Sequence, residues 1–250
     1  MSKPPSSHRA VILAGGKGTR LMPYTTVLPK PLLPVGDRPI VDIVVRQLRR
    51  HGFHDLTIAI GHLAHIMRGV IGDGSRHGVQ IRYHEEDEPL GTAGPLATMD
   101  GLDDTFLMMN GDVLTTLDYA ELVRSHREAG HTLTIATNQR IVPTDYGVLH
   151  IDGAAGATAR VTGYQEKPKI PFTVSMGVYV LEPRAIAHIP VGRPFDLPEL
   201  VLALLEAGEP VGSYGFDGYW LDIGRQDDYE RALGEYQDLL PLLLPDEAPW

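Results

Sequence analysis

Three glycines and several cations follow the first apolar run of the chain, and residues of these types could bind phosphate. Residues 10–35 read AVILAGGKGTRLMPYTTVLPKPLLPV, with glycine at Gly15, Gly16 and Gly18. A glycine loop can direct backbone N–H groups at phosphate oxygens, and a guanidinium such as that of Arg20 can clamp them. The same loop could also be a tight turn without a ligand, so the local sequence leaves both interpretations open.

The spacing of these residues excludes two common phosphate-binding motifs. A Walker A loop has the pattern G-x-x-x-x-G-K-[ST], but Lys17 is followed by Gly18 without that spacing. A dinucleotide fingerprint has the pattern G-x-G-x-x-G, and counting from Gly16 places Leu21 where the third glycine should stand. A generic dinucleotide oxidoreductase is therefore excluded.

The charge of the chain is unevenly distributed. Its 250 residues contain 22 Lys and Arg against 32 Asp and Glu, a formal net charge of −10, which argues against nonspecific binding to nucleic acid. Nine of these cations but only two of the carboxylates lie in residues 1–50, which predicts a local anionic ligand. A solvated helix face explains the arginines at 46–50, but it does not explain Lys17, Arg20 and Lys30.

The sequence lacks certain residue types and segments, which excludes further classes of site and of protein. The chain has no cysteine, which excludes disulfides, thiolate metal sites and a cysteine nucleophile. The apolar run that follows the polar residues 1–8 is too short for a signal peptide or a membrane span. We therefore expect a disordered lead-in over residues 1–8 and a cytoplasmic protein that binds neither membrane nor nucleic acid.

The hydrophobic pattern predicts the elements that must position the chemistry. Strands are predicted at Arg9–Leu13 and at residues 56–61, 79–83, 105–112 and 132–138, and an amphipathic helix at Pro39–Arg50. Strands that alternate with helix-length segments predict an α/β fold with a mostly parallel sheet and helices on both faces. Ligands of such sheets bind at the carboxyl ends of the strands.

The second half of the chain has a different pattern. From Tyr146 onward, short β segments predict a smaller lobe that is continuous with the first, with one helix near residues 198–207. A last helix is predicted over Gln226–Leu239, and the apolar, proline-broken tail at 241–250 is expected to fray. Docking of this tail on a partner subunit is the alternative, and a homo-oligomer is compatible with the sequence.

Six motifs follow one another along most of the chain: LAGGKGTRL with PKPLLPVGDRP, EDEPLGTAGPL, NGD, EKP and YWLDIG. In this order they resemble the sugar-1-phosphate nucleotidyltransferases from about Arg9 to Leu233. In motif they are most similar to mannose-1-phosphate guanylyltransferase and to related sugar- or cyclitol-1-phosphate guanylyltransferases.

The resemblance implies a fold and a domain organisation. The fold is α/β, a three-layer Rossmann-like nucleotide-diphospho-sugar transferase fold with a mostly parallel mixed sheet and a smaller β-rich substrate lobe. Because the chain has no hexapeptide repeat, no C-terminal β-helix is expected. We predict a single domain over residues 9–240, with a nucleotide-binding part at about 9–140 and a sugar-phosphate lobe at about 141–225.

The resemblance also implies a reaction, in which a nucleoside triphosphate and a sugar 1-phosphate give a nucleotide sugar and pyrophosphate. The sugar phosphate attacks the α-phosphorus directly, so positioning and charge carry the catalysis. Arg20 would stabilise the departing pyrophosphate, Lys30 would lie near the attacked phosphate, and Lys167 would bind the sugar phosphate. No covalent nucleophile is needed.

Magnesium is the implied cofactor, with Asp112 and Asp222 as its ligands. Two carboxylates suit Mg²⁺, which completes its coordination shell with phosphate oxygens and water. Each carboxylate also has a structural interpretation, since Asp112 could cap a helix that begins near Thr116 and Asp222 could close a turn at Gly224.

Two sets of binding residues follow from the resemblance. The nucleotide would contact Leu13, Gly15, Gly16, Gly18, Thr19, Glu86, Gly91 and Thr92. The sugar phosphate would contact Tyr146, Gly147, Glu166, Lys167, Ser175 and Tyr179. At Gly147, only a bare backbone would allow the close approach of the sugar.

The residue expected against the base favours GTP. Guanine presents two donors, N1–H and N2–H, along one edge, and the carboxylate of Glu86 can accept both. Thymine and uracil present one donor beside carbonyl acceptors, which an amide would suit better. Glu85 and Glu88 crowd the same loop, and thymidylyl-, uridylyl- or cytidylyltransfer remains the alternative.

The acceptor is less closely defined than the base. Ser175 stands where the family usually has asparagine in an Asn-Ala-Gly segment, which argues against ordinary mannose 1-phosphate. The acceptors that remain are a mannose-like hexose, a heptose or a valienol-type cyclitol 1-phosphate. A second alternative is a non-catalytic homologue that binds a nucleotide sugar and regulates a partner.

Overall fold

The elements of the chain follow the alternation that the sequence predicts. The structure is a computed structural model that describes residues 8–86, 88–153 and 158–246. The strands are β1 (His8–Leu13), β2 (Pro34–Val35), β3 (Arg38–Pro39), β4 (Phe53–Ile60), β5 (Gln80–Glu85), β6 (Phe106–Asn110), β7 (Val113–Thr115), β8 (Leu133–Pro143), β9 (Val148–Asp152), β10 (Arg160–Gln165), β11 (Lys169–Leu181), β12 (Val211–Gly215) and β13 (Trp220–Asp222). The α-helices are α1 (Ile40–Arg50), α2 (Ala64–Ile71), α3 (Tyr119–Ala129), α4 (Pro183–Ile186), α5 (Leu197–Glu206) and α6 (Gln226–Leu243). The expected lead-in lies outside the described residues except for His8, which begins β1.

A seven-stranded sheet forms the centre of the molecule, in the order β12-β8-β11-β6-β1-β4-β5. β1 pairs in parallel with β4 and β6, β4 with β5, and β12 with β8, whereas β11 is antiparallel to both of its neighbours. The mostly parallel mixed sheet is therefore confirmed. No described helix is long and apolar enough to cross a membrane.

Helices cover both faces of this sheet and give it three layers. Neighbouring residues of β1 point to opposite faces, so Val11 and Ile12 belong to different buried clusters. The cluster of Ile12 includes Val44 of α1 and Leu240 of α6, and that of Val11 includes Leu200 of α5. Because both faces are buried, β1 is a continuous apolar run rather than an alternating one.

A projecting pair of ribbons forms the smaller β-rich lobe, which we call the β arm (residues 139–153 and 158–175). The later part of β8 pairs with the early part of β11 beyond the central sheet, and β9 pairs with β10. Ile141, Leu149 and Phe172 on these strands and Tyr146 in the bend between β8 and β9 are exposed large side chains. The β arm therefore has little core of its own, because two-stranded ribbons cannot bury both faces.

The C-terminal helix is longer than the sequence predicts. α6 continues from the predicted end at Leu239 to Leu243, with Pro241 inside it. Leu243 and Leu244 are buried, and the side-chain amide of Gln47 donates to the Leu243 carbonyl at 3.2 Å. Burial of these leucines outweighs the loss of a backbone hydrogen-bond donor at Pro241. This finding corrects the expectation of a fraying end for residues 241–246. Residues 247–250 lie outside the described part.

The turn between β2 and β3 provides a test of the contact with α6. Gly36 has a φ of +66°, and a β-carbon there would overlap the ring of Tyr236, whose hydroxyl donates to Asp37 at 2.6 Å. We expect Gly36→Ala to lower the free energy of unfolding by about 2–5 kcal/mol, since a left-handed backbone costs about 1–2 kcal/mol and overpacking about 1–3 kcal/mol.

The matched control is Gly208→Ala, because Gly208 has a φ of +73° and open space around it. Only the backbone cost of about 1–2 kcal/mol is expected there. Urea unfolding of both variants measures the difference, and equal losses would contradict the role of the Tyr236 contact.

Candidate functional site

A cleft of about 770 Å³ opens at the carboxyl ends of β1, β4 and β6. Its walls come from the loops that follow these strands and from the loop after β5. The lining residues are Leu13, Ala14, Gly15, Gly16, Lys17, Gly18, Thr19, Arg20, Lys30, Pro31, Ala59, Gly61, His62, Glu86, Pro89, Gly91, Thr92, Asn110 and Asp112. The position at the carboxyl edge is where α/β sheets bind ligands.

Two glycines of the loop after β1, Gly15 and Gly18, pack closely on their neighbours, whereas Gly16 has open space around it. A β-carbon on Gly15 would lie 3.3 Å from Glu86 Oε1 and 3.6 Å from the Gly61 nitrogen. Gly18 adopts a φ of +61°, and the hydroxyl of the buried Thr25 donates to its carbonyl at 2.8 Å. The loop is thus held in a conformation that glycine tolerates and that leaves its backbone along the cleft wall.

Two cationic side chains, those of Lys30 and Arg20, lie near the glycine loop. Lys30 begins the short turn Lys30–Leu32, and its ammonium forms an ion pair with the carboxylate of Asp112. Their side chains are 13% and 16% exposed, so the pair is largely shielded from water. The Arg20 guanidinium lies beside Gly224, just after β13.

Asp112 and Asp222 come together because the short strands beside them pair. β7, which starts directly after Asp112, is antiparallel to β13, which ends at Asp222. The Ile223 N–H also donates to the Asp112 carbonyl at 3.1 Å. Burial raises the pKa of Asp222, the negative charge of Asp112 raises it further, and Lys30 and Arg20 oppose the shift.

The two carboxylates fit a magnesium ion. Asp112 Oδ1 is buried and has no hydrogen-bond partner among the residues that the structure describes. Such an oxygen is an available hard ligand for Mg²⁺, and Asp222 supplies a second carboxylate. Within the described ranges, no group of three or more His, Asp or Glu could hold a metal unaided, so the remaining ligands would have to be substrate oxygens and water.

The loop after β5 presents one of its glutamates to the cleft. Glu86 lines the cleft, and its Oε2 accepts from the Leu90 N–H at 2.8 Å. Glu85 turns away to pair with Arg68 at 2.6 Å. Burial raises the pKa of Glu86, an effect that the Leu90 hydrogen bond and the charge of His84 oppose.

Gly91 and Thr92, which belong to this loop, contact the residues at the start of α5. A β-carbon on Gly91, whose φ is +79°, would lie 2.8 Å from Asp196 Oδ1. The Thr92 hydroxyl donates to Asp196 at 3.1 Å and accepts from the Leu197 N–H at 2.8 Å. The Thr92 side chain is therefore occupied within the protein, although the residue lines the cleft as expected.

The structure brings together only part of the expected site. Arg20, Lys30 and Asp112 line the cleft. All of the residues predicted to bind nucleotide line it too, and these are Leu13, Gly15, Gly16, Gly18, Thr19, Glu86, Gly91 and Thr92. The residues predicted to bind sugar phosphate do not line it: Tyr146, Gly147, Glu166, Lys167, Ser175 and Tyr179. Most of the second set lies on the exposed β arm.

The contacts of the second set are internal to the protein. A β-carbon on Gly147 would overlap the Tyr164 hydroxyl, so Gly147 closely approaches Tyr164. That hydroxyl donates to Glu166. Ser175 and Tyr179 share a hydrogen bond of 2.8 Å, and burial raises the pKa of Tyr179.

Two polar residues of the cleft, Asn110 and His62, were missed by sequence reasoning, and Lys17 was singled out by its charge without a defined role in the site. Lys17 is exposed on the glycine loop, and Asn110 ends β6 with its amide against Gly177. His62 lies in the loop after β4, whereas His65 lies on α2. The signal that could have found His62 is its position directly after the carboxyl end of a predicted strand.

The sequence of the chain is similar to those of known proteins over most of its length. Residues 9–238 match the family model described as nucleotidyl transferase. The chain is 36% identical over 246 residues to a UTP-glucose-1-phosphate uridylyltransferase of Synechocystis sp., covering 90% of this chain and 62% of that protein. It is 34% identical over 245 residues to a mannose-1-phosphate guanylyltransferase of Mycobacterium tuberculosis, covering 96% of this chain and 66% of that protein.

Solved structures share the fold. The crystal structure of HddC from Yersinia pseudotuberculosis with GMP-PN superposes with a TM-score of 0.69 at 24% identity, covering 92% of this chain and 99% of that chain. This likeness extends the agreement in fold to nearly the whole chain. The curated relatives are longer, since the chain spans 62% and 66% of the two that are named above.

The raised pKa of Asp222 gives a testable effect on stability. When folding raises the pKa of a carboxyl group, the free energy of unfolding of the protein falls as the pH rises from the ordinary pKa of that group through the raised value. We therefore expect Asp222→Asn to raise the free energy of unfolding at pH 7, because the amide removes a charge that burial and Asp112 disfavour.

The gain should disappear at a pH below the ordinary pKa of an aspartate, where Asp222 is protonated in both the folded and the unfolded state. Urea unfolding at pH 7 and at low pH measures both values. A variant that is less stable than the parent at pH 7 would contradict this account of the charge at Asp222.

Proposed function

The chain belongs to the nucleotidyl transferase family, and we propose that it transfers the nucleotidyl group of GTP to a sugar or sugar-like 1-phosphate with release of pyrophosphate. The observation that carries this proposal is the convergence of the glycine loop, Lys30 and the carboxylates of Asp112 and Asp222 at one edge of the sheet. This arrangement is suited to aligning two polyanions. It contains no residue that must form a covalent intermediate.

The reaction is a direct displacement at the α-phosphorus. An oxygen of the acceptor phosphate forms the new P–O bond, the bond from the α-phosphorus to the bridging oxygen breaks, and pyrophosphate leaves with the electron pair. The glycine-loop N–H groups and Arg20 would bind the departing phosphates, and Lys30 would counter the charge at the attacked phosphate. Magnesium, bound by Asp112 and Asp222, would supply further positive charge there.

Glu86 supports the choice of GTP. It is the described acidic residue of its loop that lines the cleft, and its position beside Gly15 leaves Oε1 facing the space next to the glycine loop. An ionised carboxylate can accept from both N1–H and N2–H of guanine, whereas uracil and thymine would oppose a carbonyl to it. The relatives include both guanylyl- and uridylyltransferases, so this contact is the main support for the base.

The β arm would supply the acceptor site. Glu166 would bind hydroxyl groups, Lys167 the acceptor phosphate, and Tyr146 and Gly147 the face of the ring. Because these residues do not line the cleft, the β arm would have to move towards it when the acceptor binds. Because Ser175 stands where the family usually has asparagine, the acceptor would be a mannose-like hexose, a heptose or a cyclitol 1-phosphate rather than ordinary mannose 1-phosphate.

The experiment that tests this function is a substrate panel. The protein is incubated with Mg²⁺, each of GTP, UTP, TTP and CTP, and mannose, glucose, heptose or valienol 1-phosphate, and pyrophosphate release is measured. We expect release with GTP and at least one of these acceptors. No release with any pair would refute nucleotidyl transfer, whereas faster release with another triphosphate would refute the preference for GTP.

Glu86→Gln tests the contact to the base. The amide would oppose an N–H group to the guanine donors, so we expect kcat/KM for GTP relative to UTP to fall about tenfold to hundredfold, as for roughly 1–3 kcal/mol. The control is Glu85→Gln, which removes a neighbouring carboxylate that pairs with Arg68 outside the cleft. An unchanged ratio in Glu86→Gln would contradict the proposed contact.

Lys30→Ala and Asp112→Asn test the charged groups. We expect each to lower kcat by roughly 100-fold or more, the scale of losing one electrostatic contact in a transition state. Circular dichroism and urea unfolding check that the variants still fold. Lys169→Ala, on the exposed β arm, is the control, and near-normal turnover of Lys30→Ala would exclude its proposed role.

A further inference from the structure

We propose that Lys30 is a competing cation, which occupies the carboxylate of Asp112 until a nucleoside triphosphate draws it away. The substrate that the cleft takes up is then the complex of the triphosphate with a divalent cation, and the free cation binds weakly. This inference rests on the proposed function, because it assigns an order of binding to the same cleft.

The ion pair is the first observation. The Lys30 ammonium contacts Asp112 Oδ2, and both side chains are largely buried, so the contact is shielded from water and salt. Asp112 Oδ1 is buried without a hydrogen-bond partner in the described ranges. One oxygen of a carboxylate suited to a divalent cation is thus taken by an ammonium, and the other is left unsatisfied.

The anchoring of Lys30 is the second observation. Lys30 lies between the buried residues Pro29 and Pro31, and its carbonyl accepts from the Leu33 N–H at 3.0 Å. Pro31 packs against Gly111, next to Asp112. The backbone of Lys30 is therefore fixed, and only the flexible part of its side chain can change partner.

A second partner for the ammonium lies within reach of the same backbone. The Lys30 Cβ packs beside Gly18, 3.3 Å from where a β-carbon on that glycine would be. A phosphate bound by the glycine loop would therefore lie near the stem of Lys30 and attract its ammonium. Once Lys30 turns to the phosphate, both oxygens of Asp112 are free for a cation.

Electrostatics makes the two arrangements exclusive. An ammonium and a divalent cation on one shielded carboxylate would repel each other strongly at such short range. The negative charge of Asp112 disfavours the ionised form of Asp222, and the positive charge of Lys30 favours it. A divalent cation at Asp112 would favour it in the same way. The carboxylates are therefore neutralised by Lys30 in the free protein and by the divalent cation in the complex.

The test is a titration of the full chain with Mn²⁺, followed by electron paramagnetic resonance of the free ion. Without nucleotide, we expect Lys30→Met to bind Mn²⁺ about tenfold or more tightly than the parent protein does. Lys17→Met is the matched control, because it removes the same charge from the same cleft, and Lys17 has no ion pair among the described residues. It should change the affinity less than about threefold.

The same titration with a saturating non-hydrolysable GTP analogue tests the exchange of partners. The parent protein should then bind Mn²⁺ far more tightly than without the analogue, and the advantage of Lys30→Met should disappear. Lys30→Gln, which keeps a hydrogen-bond donor for Asp112, replaces Lys30→Met if that variant does not fold. Asp112→Asn should abolish tight binding in every background.

The outcomes separate this inference from the proposed function. Tight Mn²⁺ binding by the parent protein without nucleotide, or equal gains in Lys30→Met and Lys17→Met, would overturn the competition. A gain specific to Lys30 in a protein that releases no pyrophosphate with any substrate would support the competition and refute the transferase function.

Discussion

The pairing of β7 with β13 is the constraint on which the cleft depends, because it holds the carboxylates of Asp112 and Asp222 close together. Burial and the negative charge of Asp112 disfavour the charge of Asp222, and both raise its pKa. Lys30 and Arg20 oppose this shift, and both lie on the segment that follows β1. The glycines of the same segment leave its backbone without side chains beside these cations.

The cation-bearing loop is itself held by the C-terminal helix. The Gln226 amide donates to the Met22 carbonyl at 2.7 Å, and the Tyr229 hydroxyl donates to the Pro34 carbonyl at 2.7 Å. The Tyr236 ring packs on Gly36. Because α6 starts just after Asp222, one element fixes both the second carboxylate and the loop that neutralises it.

Much of this arrangement could be predicted from the sequence, and the failures have physical causes. The run from Ala10 to Leu13 and the glycines after it are local signals, so β1 and a glycine loop at the carboxyl edge of the sheet were predicted correctly. The pairing of β7 with β13 joins distant segments and leaves no local pattern. The strand predicted to end at residue 61 ends at Ile60 in the structure, so His62 could have been placed at the carboxyl edge of the sheet from the sequence.

Long-range packing also decides features of the second half of the chain that no local pattern shows. The side chain that closely approaches Gly147 is that of Tyr164 on the neighbouring strand β10, a contact that the sequence does not reveal, and the predicted contact of Gly147 with a sugar stays a prediction. The end of α6 was placed too early because Pro241 is a local stop signal. The buried neighbours that keep Leu243 helical are distant in sequence.

The junction of β7 and β13 has a consequence for the synthesis of the protein. The Thr115 hydroxyl donates to the carbonyl of Tyr219, 104 residues later, and Asp222 follows three residues further on. A chain emerging from the ribosome exposes Asp112 and Lys30 long before Asp222 and α6 are made. The nascent protein therefore passes through a stage in which Asp112 and Lys30 exist without the second carboxylate that β13 brings beside them.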